Sequence, residues 1–436
     1  METQNQNPQS RRAAVWPDDM QEIKHSWEHQ GFDDHSTDVL VLQPTSAQMQ
    51  DAEFPKRFIE VAVMLGAEAT GAFKIAVPAD LAEWPPQQLP GGSSYNPKAA
   101  GERYRSYRRQ GLKGTGFVRL HDGRRTAKAG RRAEAAVGQA AAAATWGRPA
   151  PQPDADDAAR LLDMWNQLRT PTTRLAAGTM RYIVDVPLET ARDRRRAGVP
   201  ERSLIWPLAG NHLDEYAPIP GLCYPYKYEG TALAPFTWHV EDVGLLSLNH
   251  LFQGVKVWFC IRSADRRAAE DVFRSAPLTA PAAISIPHHE QFMRHNATLD
   301  GHAALRRAGV SVVPVVQRAG EIVVTLPEAY HSGFSAGYTV CEAVNFADRP
   351  LRVGEDRAWC TLACSPCPMN HLTFRRRSAE VEMETEKEGG DDGVVAPREG
   401  LDEAELGERK RLRSGDDGVG GLIGQKRGRM GVEVAR

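Results

Sequence analysis

The chain has 436 residues, and Lys+Arg 54 against Asp+Glu 56 leaves a formal net charge of −2, so its overall balance excludes a general demand for an acidic or basic partner. Hydrophobic residues make up 41%, enough for a packed core over part of the length, yet no apolar run is long enough to span a bilayer. Six cysteines in so long a chain exclude a secreted disulfide framework, and the polar start Met1-Glu-Thr-Gln carries no secretory h-region.

Residues 1–36 read as a polar, mobile N-terminus. Val39-Leu-Val-Leu42 then reads as a short strand, with Thr45 or Ser46 as the N-cap of a following helix. Phe54, Phe58, Ile59 and Val61-Ala-Val63 form a helical apolar face, Gly66 and Gly71 end it, and Phe73 to Val77 reads as a second strand. Residues 87–153 look like a low-complexity insert with an alanine run at 140–144. Inside it, Arg103-Tyr-Arg-Ser-Tyr-Arg-Arg, Lys113, Arg119 and Arg131-Arg132 make a basic run with interleaved aromatics. Such a run can follow nucleic-acid phosphates; a solvated loop is the other reading.

Order returns with a capped amphipathic helix from Asp156 to Leu168, a strand at Arg181–Val186, and a crossing segment with long loops over 187–222. Further strands are expected at 244–252, 255–261, 321–326 and 338–347, with a helix at 264–273. Short, even strands with few helices suggest a mainly β fold with peripheral helices (α+β), of the double-sheet jelly-roll kind. Residues 377–436 alternate acidic, glycine-rich and basic stretches and read as a disordered charged tail. Its Lys410-Arg-Leu-Arg and Lys426-Arg-Gly-Arg clusters are candidate nuclear-import signals.

Three residues carry the chemistry. His239 and Glu241, in Phe236-Thr-Trp-His239-Val-Glu241-Asp242, are two apart and share one face of an extended segment. His331, in Tyr330-His331-Ser-Gly-Phe334, can join them from a second strand. Two imidazoles and one carboxylate are the ligand set that holds non-haem Fe(II) with positions open for a co-substrate and O₂. Structural histidines that never meet are the bland alternative.

The blocks Phe236 to Asp242, Ser247-Leu-Asn249, Lys256-Val-Trp258-Phe, Gly320 to Pro327, Tyr330 to Phe334 and Glu342-Ala-Val-Asn345-Phe346-Ala together resemble a JmjC domain. Val41-Leu-Gln-Pro44-Thr45, the helix from Phe54 to Ile59, Gly66-Ala67, Ile75 to Pro78 and Trp84 resemble a JmjN domain. The chain is therefore similar to the JmjN/JmjC histone lysine demethylases. The resemblance implies a cupin-like double-stranded β-helix at 154–376 with a small αβ JmjN unit at 37–86 packed on it.

It implies Fe(II) held by His239, Glu241 and His331. It implies 2-oxoglutarate as co-substrate, contacted by Tyr182, Asn249 and Lys256 between the aromatic walls Phe236 and Trp258. A methylated histone tail is the implied partner, met by Asp185, Tyr228, Ala343 and Asn345, in the nucleus and away from membranes. Ala343 stands where some members carry serine, which leaves the preferred methylation state open. Two departures from the family pattern stand out: the stretch from Asn249 to Lys256 is one residue shorter, and the zinc site is altered. The family's Cys₃His zinc site is matched by His295 with two or three of Cys360, Cys364 and Cys367, while His289 stands where a cysteine is expected. Cys223, Cys260 and Cys341 read as buried and inert. A JmjC protein hydroxylase and a catalytically silent chromatin scaffold are the rival functions.

Overall fold

A computed structural model of the chain describes residues 22–351 apart from 31, 33–37, 53, 83–102, 113, 123–154, 173–179, 277–291 and 296. The described residues all lie in one compact unit, Met1–Arg377; the second unit, Ser378–Arg436, holds the expected charged tail and lies outside them. Trp84, the alanine run, His289, Cys360, Cys364 and Cys367 also lie outside them. No helix among the described residues is long and apolar enough to cross a membrane.

Among the described residues fifteen strands run in chain order as β1 Lys24–Glu28, β2 Val39–Gln43, β3 Ala72–Ala76, β4 Arg103–Gly111, β5 Phe117–Asp122, β6 Arg181–Pro187, β7 Tyr226–Gly230, β8 Pro235–His239, β9 Leu246–Gln253, β10 Val255–Ile261, β11 Thr298–Asp300, β12 Val313–Arg318, β13 Glu321–Thr325, β14 Tyr330–Ser335 and β15 Thr339–Phe346. They form an eleven-stranded sheet, β1-β2-β3-β13-β9-β15-β7-β6-β4-β5-β11, and a four-stranded sheet, β12-β10-β14-β8. Successive strands from β7 onward alternate between the two sheets, β11 aside, except where β10 and β12 share the small one. That is the jelly roll expected from sequence.

Strand periodicity then sorts the side chains. On β10, Val257, Phe259 and Ile261 pack outward beneath helices, while Lys256, Trp258 and Cys260 face the large sheet. On β9 and β15, Leu246, Leu248, Val344 and Phe346 pack outward with Phe58 and Phe73. Their alternates Asn249, Cys341, Ala343 and Asn345 are left for the interior. Helix α1, Ser46–Met49, is capped by Thr45 with Gln48 completing the capping box, and α2, Lys56–Met64, buries Phe58, Ile59, Val61 and Ala62. Helix α3, Ala155–Arg169, places Trp165 on Phe259 with ring centroids 4.4 Å apart, and three carbonyls at its C-terminal end, those of Gln167, Leu168 and Thr170, accept from Arg109.

Two expectations are corrected. The N-terminal segment read as mobile contains β1, which pairs antiparallel with β2 along its whole length; main-chain pairing holds it, which a polar side-chain pattern does not reveal. The segment read as a basic insert contributes β4 and β5, joined to the large sheet through β6 and closed by β11. Phe117, Val118 and Leu120 are buried there, and their alternation was masked by the arginines around them. Strand β12 also had no sequence expectation.

Two buried histidines make stability depend on pH. His250 and His302 are both held neutral, burial first and neighbouring arginines second depressing each from 6.5 to about 3. Below about pH 6.5 the unfolded chain takes up protons that the folded chain refuses, so stability falls as pH drops toward 3. At pH 5 the loss is on the order of 2 kcal/mol per histidine. Urea unfolding of the metal-free protein at pH 7.5 and pH 5 measures it, and His302→Gln is expected to flatten the fall. An unchanged midpoint between the two pH values contradicts it.

Candidate metal centre and co-substrate pocket

His239 ends β8 and His331 lies near the start of β14, and the two are cross-strand partners in the small sheet. A register shift between His331 and Gly333 bends the strand at this point. Glu241 follows two residues after His239 as the chain leaves the sheet. One ligand atom from each of His239, Glu241 and His331 lies within 4.8 Å of the others, with His331 Nε2 3.3 Å from Glu241 Oε1.

Second contacts fix which imidazole nitrogen faces the centre. The Nδ1 of His239 lies 2.6 Å from the Thr237 carbonyl, and that of His331 lies 3.2 Å from the Ala329 carbonyl. A carbonyl only accepts, so both Nδ1 atoms carry a proton and each Nε2 is the atom turned to the centre. Two imidazoles and one carboxylate suit a divalent first-row cation with open positions.

The neighbouring ground is built around Lys256. It is 2% exposed, and its ammonium lies 3.4 Å from Tyr182 Oη and 3.5 Å from Cys341 Sγ. The rings of Phe236 and Trp258 flank it with centroids at 4.8 and 4.9 Å. No carboxylate pairs with it among the described residues. Asn249 donates weakly to Cys341 Sγ at 3.6 Å, and its buried Oδ1 has no partner. A buried ammonium that no carboxylate meets among the described residues fits an anionic group entering beside the three-ligand cluster. Trp258 links the two grounds. Its ring is 5.9 Å from His331, and its Nε1 donates to Gln317 Oε1 at 2.9 Å, while Gln317 Nε2 donates to the Asn249 carbonyl at 2.8 Å.

The shortened stretch between Asn249 and Lys256 does not displace the lysine. A single residue, Gly254 with φ +86, turns the chain from one sheet to the other, and a Cβ there would sit 2.1 Å from the Tyr338 carbonyl oxygen. Gly333 has a similar constraint, since a Cβ would meet Phe236 Cζ at 2.4 Å.

The outer rim is aromatic and acidic. Tyr228 packs with Tyr182 and Tyr226, centroids 6.0 and 6.4 Å away, and Tyr226 pairs with Ala343 across the ladder. Burial, then Asp185 and Glu241, raise the Tyr228 phenol well above its ordinary value; burial, then Asp185 and Asp242, push Tyr226 up to about 12. The carboxylates that oppose phenolate here favour a cation in the same place. Asp185 is exposed and sits at φ 61 within β6, and Asn345 donates to the Leu246 carbonyl at 3.1 Å.

The structure thus brings His239, Glu241 and His331 together and gathers Tyr182, Phe236, Asn249, Lys256 and Trp258 beside them. The expected zinc ligands fall outside the described side chains, His295 included, although its backbone lies in the helix Phe292–His295. Sequence reasoning missed Tyr226, whose spacing of two from Tyr228 on one strand was a usable signal. It also missed Gln317, and it took Cys341 for inert. Cys341 is buried as expected but faces Lys256 across the two sheets.

Residues 226–346, from β7 to the end of β15, match the family model described as JmjC domain, hydroxylase. Over that segment, which holds His239, Glu241 and His331, the chain matches a JmjC domain. It is also 30% identical over 189 residues to lysine-specific demethylase 4D of Rattus norvegicus, an alignment that takes in 42% of this chain and 35% of that protein. The chain thus spans about a third of the length of the curated relative it matches.

Metal binding is measurable without turnover. At a hundredfold excess over the dissociation constant, a divalent cation adds about 2.7 kcal/mol of stability. Anaerobic Fe(II), or Mn(II) in its place, is expected to raise the melting temperature of the protein and to leave His331→Ala unmoved. An equal rise in both proteins contradicts the ligand assignment.

Proposed function

We propose that the protein is an Fe(II)- and 2-oxoglutarate-dependent oxygenase that removes methyl groups from lysine in histone tails. The observation that carries this reading is the pairing of the three-ligand centre with Lys256 beside it, buried and without a carboxylate partner among the described residues. Similarity to a lysine-specific demethylase supports the substrate class.

Iron bound by His239, Glu241 and His331 would supply oxidation of a C–H bond by O₂, with 2-oxoglutarate converted to succinate and CO₂. Lys256 and Tyr182 would hold the distal carboxylate by charge-assisted hydrogen bonds, each contributing roughly 1.5–3 kcal/mol. Asn249 would add a third polar contact, and Phe236 and Trp258 would exclude water around the co-substrate chain. Tyr228, with Tyr226 beside it, would orient the methylated ammonium through ring faces and neighbouring negative charge. Glu241 would use one oxygen as ligand and turn the other toward that cation. Asp185 would meet the peptide, with Ala343 and Asn345 on the inner wall of the pocket. A hydroxylated N-methyl group then breaks down to formaldehyde and the less methylated amine.

The wider proposal includes JmjN character for residues 37–86, a zinc site of His295 with Cys360, Cys364 and Cys367, a nuclear location, and contact of the basic segment with nucleic acid. A second reading, stable protein hydroxylation, is favoured by the family description itself. Incubation with Fe(II), 2-oxoglutarate and a panel of methylated histone peptides separates the two. Formaldehyde with loss of one methylene per turnover is expected, and at least a hundredfold less with His239→Ala. A stable gain of one oxygen, or equal turnover by His239→Ala, overturns the demethylase reading.

A further inference from the structure

Cys341 occupies the inner face of β15, where the metal ligands and the co-substrate contacts named above do not require a thiol. Two N–H donors converge on its sulfur, Lys256 Nζ at 3.5 Å and Asn249 Nδ2 at 3.6 Å. Sulfur is a weak acceptor for either. Asn249 is 5% exposed, its amide is turned to Cys341, and its Oδ1 lacks a partner. The two converging donors form a cradle better suited to an oxyanion than to a thiol.

The other described cysteines differ. Cys260 packs among Trp258, Val313 and Val315, where burial pushes its thiol up to about 12. Cys223 points its S–H at the Leu213 and Ala217 carbonyls, each 3.9 Å away. Among these three only Cys341 has an ammonium beside its sulfur, Lys256 Nζ at 3.5 Å.

Resting on the reading of this ground as a 2-oxoglutarate site, we infer that Cys341 is a modification site inside the co-substrate cradle, such that its oxidation by peroxide and co-substrate binding exclude one another. The sulfur attacks one oxygen of hydrogen peroxide. An S–O bond forms and the O–O bond breaks. Sulfur gives up two electrons, and the thiol proton leaves with the departing oxygen as water, so the product is a sulfenic acid. The added oxygen lies between Lys256 and Asn249, in the place of a carboxylate oxygen. Cys341 is 1% exposed, so its oxidation by peroxide requires the same entry between the sheets that 2-oxoglutarate would need. A thiol such as glutathione returns it to the reduced form through a mixed disulfide.

The test uses the full chain loaded with Mn(II). Binding of 2-oxoglutarate to the untreated protein is measured first by calorimetry; if it does not bind, the co-substrate reading falls and this inference with it. The protein is then treated with hydrogen peroxide, with and without saturating 2-oxoglutarate. Sulfenic acid is trapped with dimedone and mapped by peptide mass spectrometry. Labelling of Cys341 at least tenfold above Cys223 and Cys260 is expected, falling tenfold when 2-oxoglutarate is present. Co-substrate affinity is expected to drop at least tenfold after peroxide and to recover with a thiol reductant. In Cys341→Ala, and separately in Cys341→Ser, peroxide is expected to leave the affinity of that variant unchanged. Three results overturn the inference while leaving the co-substrate site standing: no label at Cys341, equal label with and without 2-oxoglutarate, or an equal loss of affinity in both variants.

Discussion

A lysine ammonium buried between two sheets, with no carboxylate to meet it among the described residues, sets the terms for the interior of this fold. Taking Lys256 out of water costs several kcal/mol unless something polar faces it. The chain offers a phenol, a sulfur and two ring faces, which are partial compensation only. The outer faces of the same strands make that arrangement tolerable. Val257, Phe259 and Ile261 on β10, and Leu246 and Leu248 on β9, bury enough apolar surface to hold the sheets regardless of what the inner alternates do. Period-2 alternation thus separates the work of folding from the work of binding along single strands. Lys256, the Asn249 side chain and the Nε2 atoms of His239 and His331 are all on the binding side.

The metal ligands gain their order from the backbone rather than from each other. Each histidine spends its Nδ1 proton on a carbonyl two residues back along the chain. Ring orientation and tautomer are therefore set before any cation arrives, which reduces the ordering cost of binding. Gly254 plays the comparable part for the ground around Lys256. It turns β9 into β10 within one residue, so Asn249 and Lys256 converge from different sheets despite the short stretch between them.

Much of this was legible from residue types. His239, Glu241 and His331 were readable because metal chemistry demands particular side chains, and Val39 to Leu42 and Phe73 to Val77 because apolar runs bounded by turn residues have few alternatives. What was not legible has a common physical cause. β1 and the arginine-rich β4 are stabilised by main-chain pairing that side-chain patterns do not report. Cys341 looked inert because burial was read without asking what faced the sulfur, and only register shows that β15 puts it opposite Lys256. Tyr226 escaped notice although it shares a strand face with Tyr228, since its importance lies in the carboxylates around it rather than in its own identity.

The central claim is that the anion-free lysine and the three-ligand centre form one site for one small molecule. Calorimetric titration of 2-oxoglutarate into the protein, with and without Mn(II), tests it directly. Binding is expected to need the metal, to weaken at least a hundredfold in Lys256→Ala while that variant still binds Mn(II), and to vanish in His331→Ala. Binding of equal strength without metal, or undiminished binding by Lys256→Ala, would contradict it.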